Sequence, residues 1–248
     1  MSTATLARPS SARLTGVELR KMTDTRSGFW LQLVVGGLTF AVVLIVCLVG
    51  HAEDQTLRNL LNAAVQPANV LLPVMGVLLV TSEWSQRTTL ITFTLVPNRS
   101  RVVWAKVAAS VRLSLAALAV AFVAAVIGTV VVAPDVADVW ALPVGLLAQI
   151  VVVLTTGMMG GVAFGAVLLA SAPAIVALFA LPIVTGALGA ISALEGVAKW
   201  VDPTHTLAPM TDHVMSATEW AHAGTTFALW LALPLAIGFW RIARSEVS

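Results

Sequence analysis

Between Val139 and Leu194 the chain runs for 56 residues without an Asp, Glu, Lys or Arg. One helix of that length, at 1.5 Å per residue, would far overshoot the ~30 Å hydrocarbon core of a bilayer. The run therefore has to break. Ser171-Ala172-Pro173 is the best place, because proline cannot continue a helix whose preceding turn needs its N–H. Two apolar segments result.

The same scan finds four more charge-free windows: Ser27 to Ala52, Asn59 to Ser82, Leu113 to Pro134 and Trp220 to Trp240. Each suits a membrane span. A lone segment in lipid must satisfy its backbone internally, so helix is preferred to strand, and the windows lack the alternation of a barrel strand. The predicted fold is all-α, a polytopic membrane protein with six spans near 29–50, 66–83, 107–132, 140–170, 173–193 and 221–241. Residues 1–26 are read as a cytoplasmic tail and interfacial helix, and 27–248 as a single transmembrane domain. Composition agrees: 58% of residues are hydrophobic and 10% charged, against roughly 25% charged in soluble domains.

Basic residues give the orientation. With the N-terminus inside, Arg8, Arg13, Arg20, Lys21, Arg26, Arg87, Arg99, Arg101, Lys106, Arg112, Arg241 and Arg244 are cytoplasmic, and only Arg58 and Lys199 are external. This bias follows the positive-inside rule, and an unbroken fourth window would place Arg241 and Arg244 on the wrong side. Both termini are thus predicted to be cytoplasmic, in a bacterial plasma membrane. Glu53, Asp54, Asp135, Asp138, Glu195, Asp202, Asp212 and Glu219 fall outside, in solvated loops. Trp30, Trp84, Trp104, Trp140, Trp220 and Trp240 lie at span ends, where indole prefers the headgroup zone. Trp230, inside the last span, reads as a packing or lipid contact. The start of the chain lacks the apolar core of a signal peptide, so the first span is expected to stay uncleaved.

Several chemistries lack support. The net charge of +2 gives no bulk attraction for nucleic acid. The single Cys47 excludes an internal disulfide. His51, His205, His213 and His222 have no i, i+4 pairing of the zinc-helix kind, so no metal site is predicted. No G-x-x-x-x-G-K-[ST] run exists to cradle ATP phosphates. No cofactor is therefore expected in this chain, and energy for any transport has to come from a partner or a gradient. The spans offer almost no carboxylate for an ion relay, which favours a separate engine.

Two cytoplasmic stretches stand out. Leu14 to Thr25 has an apolar edge of Leu14, Val17 and Met22 beside Glu18, Arg20 and Lys21, the pattern of an interfacial elbow helix. Ser82 to Lys106, SEWSQRTTLITFTLVPNRSRVVWAK, places Leu90 and Phe93 at helical spacing ahead of a basic run. Such a segment either presents a face to a partner or anchors the loop at the interface.

The wording of these stretches, ELRKMTDTRSGFW from Glu18 to Trp30 and the Ser82–Lys106 loop, resembles the type-2 ABC transporter permeases of the short six-span bacterial kind. Many members carry Gly just before the coupling-element Thr, where this chain has Arg87. The resemblance implies an elbow helix, a cytoplasmic coupling helix, and the transmembrane subunit of an ATP-driven exporter. It also implies a second permease subunit, identical or similar, and a nucleotide-binding subunit that holds ATP and Mg. Glu83, Trp84, Arg87, Thr88 and Thr89, with Glu18 and Arg26, would then contact the ATPase. Spans two and five would line the substrate pathway near Asn69, Pro73, Met75, Thr185 and Ser192. A non-transporting membrane scaffold or sensor, or a membrane enzyme, is the alternative. Gly157, Gly161 and Gly165 form a small-residue stripe that lets another helix approach closely, within the monomer or across a dimer.

Overall fold

The computed structural model describes residues 10–85, 99–191 and 193–244. Every element among them is helical, and six helices are long and apolar enough to cross a membrane: Arg26–Val49, Leu57–Ser82, Trp104–Val132, Val144–Leu168, Ser171–Gly189 and Ala217–Ile242.

Helix α1 (Ser11–Asp24) is N-capped by Ser10, whose hydroxyl accepts from Arg13 N–H at 3.2 Å. A single extended residue, Thr25, ends α1 and caps α2 (Arg26–Val49) by accepting from Gly28 N–H. The bend is so tight that a Cβ at Gly28 would overlap the Met22 carbonyl. Gln32 of α2 then donates to that carbonyl at 3.1 Å.

At the far end of α2, the buried Gln55 turns its amide back onto the carbonyls of Cys47 (3.1 Å) and Gly50 (3.0 Å). These are orphan acceptors of a helix terminus, which need a donor from outside the helix. Helix α3 (Leu57–Ser85) follows at once, its first N–H donating to Val139 O at 2.9 Å. The second span therefore begins at Leu57, well before residue 66, and the expected external segment up to Val65 is mostly helix. The reason is a buried stripe, Leu57, Leu60, Leu61 and Ala64, at i, i+3, i+4, i+7. Arg58 points away from it and donates to the Asp212 carbonyl.

Helix α4 (Arg99–Val132) leads to a turn with Ala133 and Asp138 at positive φ. Helix α5 (Val144–Leu168) ends on Leu169 in the left-handed region, Ala170 is extended, and α6 (Ser171–Gly189) starts anew. The long apolar window thus breaks where Pro173 predicts. Pro173 sits in the first turn of α6, where its missing N–H costs nothing.

Three short helices, α7 (Glu195–Val201), α8 (Pro203–Leu207) and α9 (Pro209–Asp212), precede the last span. That span opens as α10 (Ala217–Phe227) on a Ser216–Glu219 capping box, widens to a π turn at Ala228–Ala232, and closes as α11 (Leu233–Arg244).

Helix α3 packs most extensively on α5. A Cβ at Gly161 would overlap the carbonyl of Pro73, and one at Gly76 the carbonyl of Met158. The stripe Gly157, Gly161, Gly165 therefore serves packing inside the subunit, against Pro73 and Val77 of α3.

One end of the bundle gathers α1, the start of α4, the α5–α6 turn and α11. Lys106 reaches Glu18 at 2.6 Å, Arg241 donates to Val167 O, and the Trp104 and Phe239 rings lie 6.3 Å apart. The opposite end gathers α7–α9. There the buried Gln149 donates to Met210 O (3.2 Å) and His213 O (2.7 Å) and accepts from Met215 N–H (2.9 Å). Both described chain ends thus share one end of the bundle. Leu48, Val49, Val131 and Val144 are 74–82% exposed, a degree of apolar exposure that suits lipid as the surrounding solvent. Trp30, Trp104, Trp140 and Trp240 are likewise exposed near span ends, as headgroup-level indoles are.

Candidate substrate cavity

Three spans lose helical regularity at one place. In α3, Pro73 has no N–H to give the Asn69 carbonyl, and in α6 Pro182 has none for Leu178. In the last span the π turn carries Trp230 and Leu231. π turns are rare and concentrate at functional sites. All three irregularities border a single cavity of about 460 Å³, closed by α5 through Thr156, Gly157 and Gly160 and by α8–α9 through Pro203 to Thr211. Its residues on α3, α5, α6 and the last span fall well inside those helices, while α8–α9 at the bundle's end close one side.

The wall has two characters. Gln66, Asn69 and Thr204 provide amide and hydroxyl groups, whereas Phe164, Phe179, Phe227 and Trp230 provide apolar surface. The Trp230 indole N–H is satisfied by Val201 O at 2.8 Å, so the ring presents its hydrocarbon to the space. Gln66 donates to Asn62 on the same helix, while the Asn69 carboxamide makes no hydrogen bond among the described residues. No Asp, Glu, Lys, Arg or His lines the cavity among the described residues.

Just behind the wall sits Asp202. Expected in a solvated loop, it is instead 6% exposed. It caps α8 by accepting from Thr204 N–H (3.1 Å) and lies 3.3 Å from the Thr185 hydroxyl. Helices α7 and α8 fold back onto α6 and α10, which buries it: Thr206 and Thr226 share a 2.7 Å hydrogen bond, and the Thr225 hydroxyl donates to Trp200 O.

The predicted pathway residues separate. Asn69 and Pro73 face the cavity. Met75 is buried and borders a smaller space of about 150 Å³ with Gln32 of α2 and Leu113 of α4. Thr185 serves Asp202 and the Pro182 carbonyl. Ser192 lies outside the described residues.

Gln66, Phe164, Phe179, Thr204 and Trp230 were not among the predicted pathway residues. One signal for them was present in the sequence: Asn62, Gln66 and Asn69 at i, i+4, i+7 set an amide stripe along one face of α3.

Of the predicted ATPase-coupling residues, Arg87, Thr88 and Thr89 lie outside the described residues. Glu83 is in the last turn of α3, and Trp84 is half-buried against the core. Arg26 opens α2, exposed. Glu18 is buried rather than displayed: Lys106 holds one carboxylate oxygen at 2.6 Å and Lys21 the other at 2.8 Å, and Lys106 also donates to Leu79 O at 3.1 Å. The pair ties α1 to both α3 and α4.

Compared with known proteins, the chain matches no family model, and no curated protein matches its sequence.

Proposed function

We propose that this chain is the transmembrane subunit of an ATP-driven ABC exporter, working with a second permease subunit and a separate nucleotide-binding subunit in a bacterial plasma membrane, both termini cytoplasmic. The observation that carries the reading is the cavity, free of ionisable lining among the described residues, at which α3, α6 and the last span are all interrupted. Interrupted helices facing a cavity at membrane mid-depth are how transporters place binding groups and hinges. The described wall carries no titratable group for a proton relay, which favours a separate engine.

The resemblance of Glu18–Trp30 and Ser82–Lys106 to the type-2 permeases supplies the engine: ATP and Mg bound by a cytosolic partner that presses on the segment after α3. The latch of Glu18 on Lys106 and the Leu79 carbonyl supports a mechanical role for α1, because a push on it reaches α3 and α4 together.

The test is whether a P-loop ATPase is encoded beside this chain and co-purifies with it, followed by ATPase assays in proteoliposomes. Glu83→Ala and Arg87→Ala are expected to cut association or stimulated hydrolysis at least fivefold. Unchanged association and hydrolysis in both variants would remove the assigned interface. A correctly inserted chain that captures no ATPase would favour a scaffold or sensor.

A further inference from the structure

We propose that the cavity between α3, α5, α6 and the last span binds an uncharged amphiphile, its hydrogen-bonding head against Asn69 and Gln66 and its apolar body among Phe164, Phe179 and Trp230. This names the substrate class of the cavity and rests on reading the cavity as the exporter's pathway.

The first argument is the open valence of the polar wall. The half-buried Asn69 carboxamide lines the cavity and has no hydrogen-bond partner among the described residues. An amide offers two donors and an acceptor. Pro73 frees the Asn69 main-chain carbonyl on the same turn. Gln66 commits its NH₂ to Asn62, which leaves its Oε1 as an acceptor towards the cavity. The wall therefore offers neutral donors and acceptors together, which suits a hydroxyl, an amide or an ester.

The second argument is charge. A cation or anion entering the cavity would shed hydration and meet no counter-charge on the described wall. The nearby carboxylate, Asp202, accepts from the α8 backbone and is not a lining residue.

The third argument is space. A volume of about 460 Å³ lies within the range that encloses drug-sized molecules. Gly160 is buried, yet a Cβ there would meet nothing within 4 Å. The room lies in front of it, inside the cavity.

Photolabelling of the purified full-length chain in lipid nanodiscs tests the assignment. Three single-chain probes carry the same diazirine-bearing alkyl tail and end in an N-methyl amide, a quaternary ammonium or a carboxylate; a fourth is a diacylglycerol with the diazirine in one acyl chain. Saturable labelling of peptides containing Phe164, Phe179 or Trp230 is expected for an uncharged probe, with the charged probes at least tenfold weaker. Preference for the diacylglycerol places the source in the bilayer, and preference for the amide places it in solution.

Gly160→Leu fills the space and is expected to cut labelling at least fivefold, whereas Gly16→Leu, on α1 far from the cavity and with nothing within 4 Å of its Cβ, leaves it unchanged. Asn69→Asp is expected to shift preference towards the quaternary ammonium. Non-saturable labelling, equal labelling by charged probes, or no loss in Gly160→Leu overturns the assignment. Because labelling needs no ATPase, a chain that labels as expected but never engages an ATPase would sink the transport reading alone. An ATPase-coupled chain without saturable labelling would sink the ligand class alone.

Discussion

Breaking the Glu18–Lys106 pair should cost far more than replacing it. The two side chains are 5% and 6% exposed and meet at 2.6 Å, so neither charge has solvent to fall back on. Removing one partner of such a pair strands the other charge and typically costs about 3–5 kcal/mol, whereas apolar residues of similar volume at both positions are often neutral. Glu18→Leu is expected near the upper end of that range, because it removes the carboxylate shared by Lys106 and Lys21. Lys106→Met is expected lower, since Lys21 still holds Glu18 at 2.8 Å. The double variant should then be less destabilised than the sum of the singles by at least ~2 kcal/mol, the coupling expected of residues in direct contact. Denaturant titration of the four proteins in mixed micelles, followed by tryptophan fluorescence, reads the cycle. Additive singles, or an unperturbed Glu18→Leu, would refute the claim that this buried pair latches α1 to α3 and α4.

The remaining predictions concern packing and the bundle end that carries α7–α9. Gly161→Ala places a methyl on the Pro73 carbonyl, so α3 and α5 must part; a loss of about 1–3 kcal/mol or failure to fold is expected, while Gly36→Ala, with open space around it, stays near wild type in the same melts. Gln149→Leu removes the only side chain that bonds Met210, His213 and Met215 backbone among the hydrogen bonds described. At about 1–3 kcal/mol per stranded buried group, the segment 208–216 should loosen and become the first site of limited proteolysis. Glu195 has its carboxyl pKa lowered from 4.5 by the hydrogen bond from Lys199, then by its charge. A depressed folded pKa contributes above the unfolded value and is lost as pH falls through the folded one. The α7 turn should therefore loosen only below pH 4.5, a change visible in Trp200 fluorescence and absent in Glu195→Gln.

The sequence announces the number of spans and the break at Pro173 because lipid imposes a length and excludes charge, and both constraints act on contiguous residues. Where a span begins is harder to read. Arg58 suggests a loop, but a charge in a first turn at the bundle's end costs little, and the apolar stripe beneath it already belongs to α3. Contacts between distant segments are invisible to any window. Glu18 and Lys106 are separated by 88 positions, and Gln149 hides inside an apolar run while bonding a segment more than 60 residues away. Met75 and Asn69 are both on the helix predicted to line a pathway, yet helical rotation sends Met75 towards α2 and Asn69 towards α6. The cavity is the extreme case. It is assembled from α3, α5, α6, α8, α9 and the last span, so no local pattern encodes it. What the sequence does carry is its chemistry: an amide stripe, Asn62, Gln66 and Asn69, inside a span and unexplained by lipid contact. An intramembrane polar stripe has to face protein, water or ligand. At Asn69 the structure places it against open space between helices that proline and a π turn have already interrupted, which is why the proposed ligand class rests on the amide rather than on a charged residue.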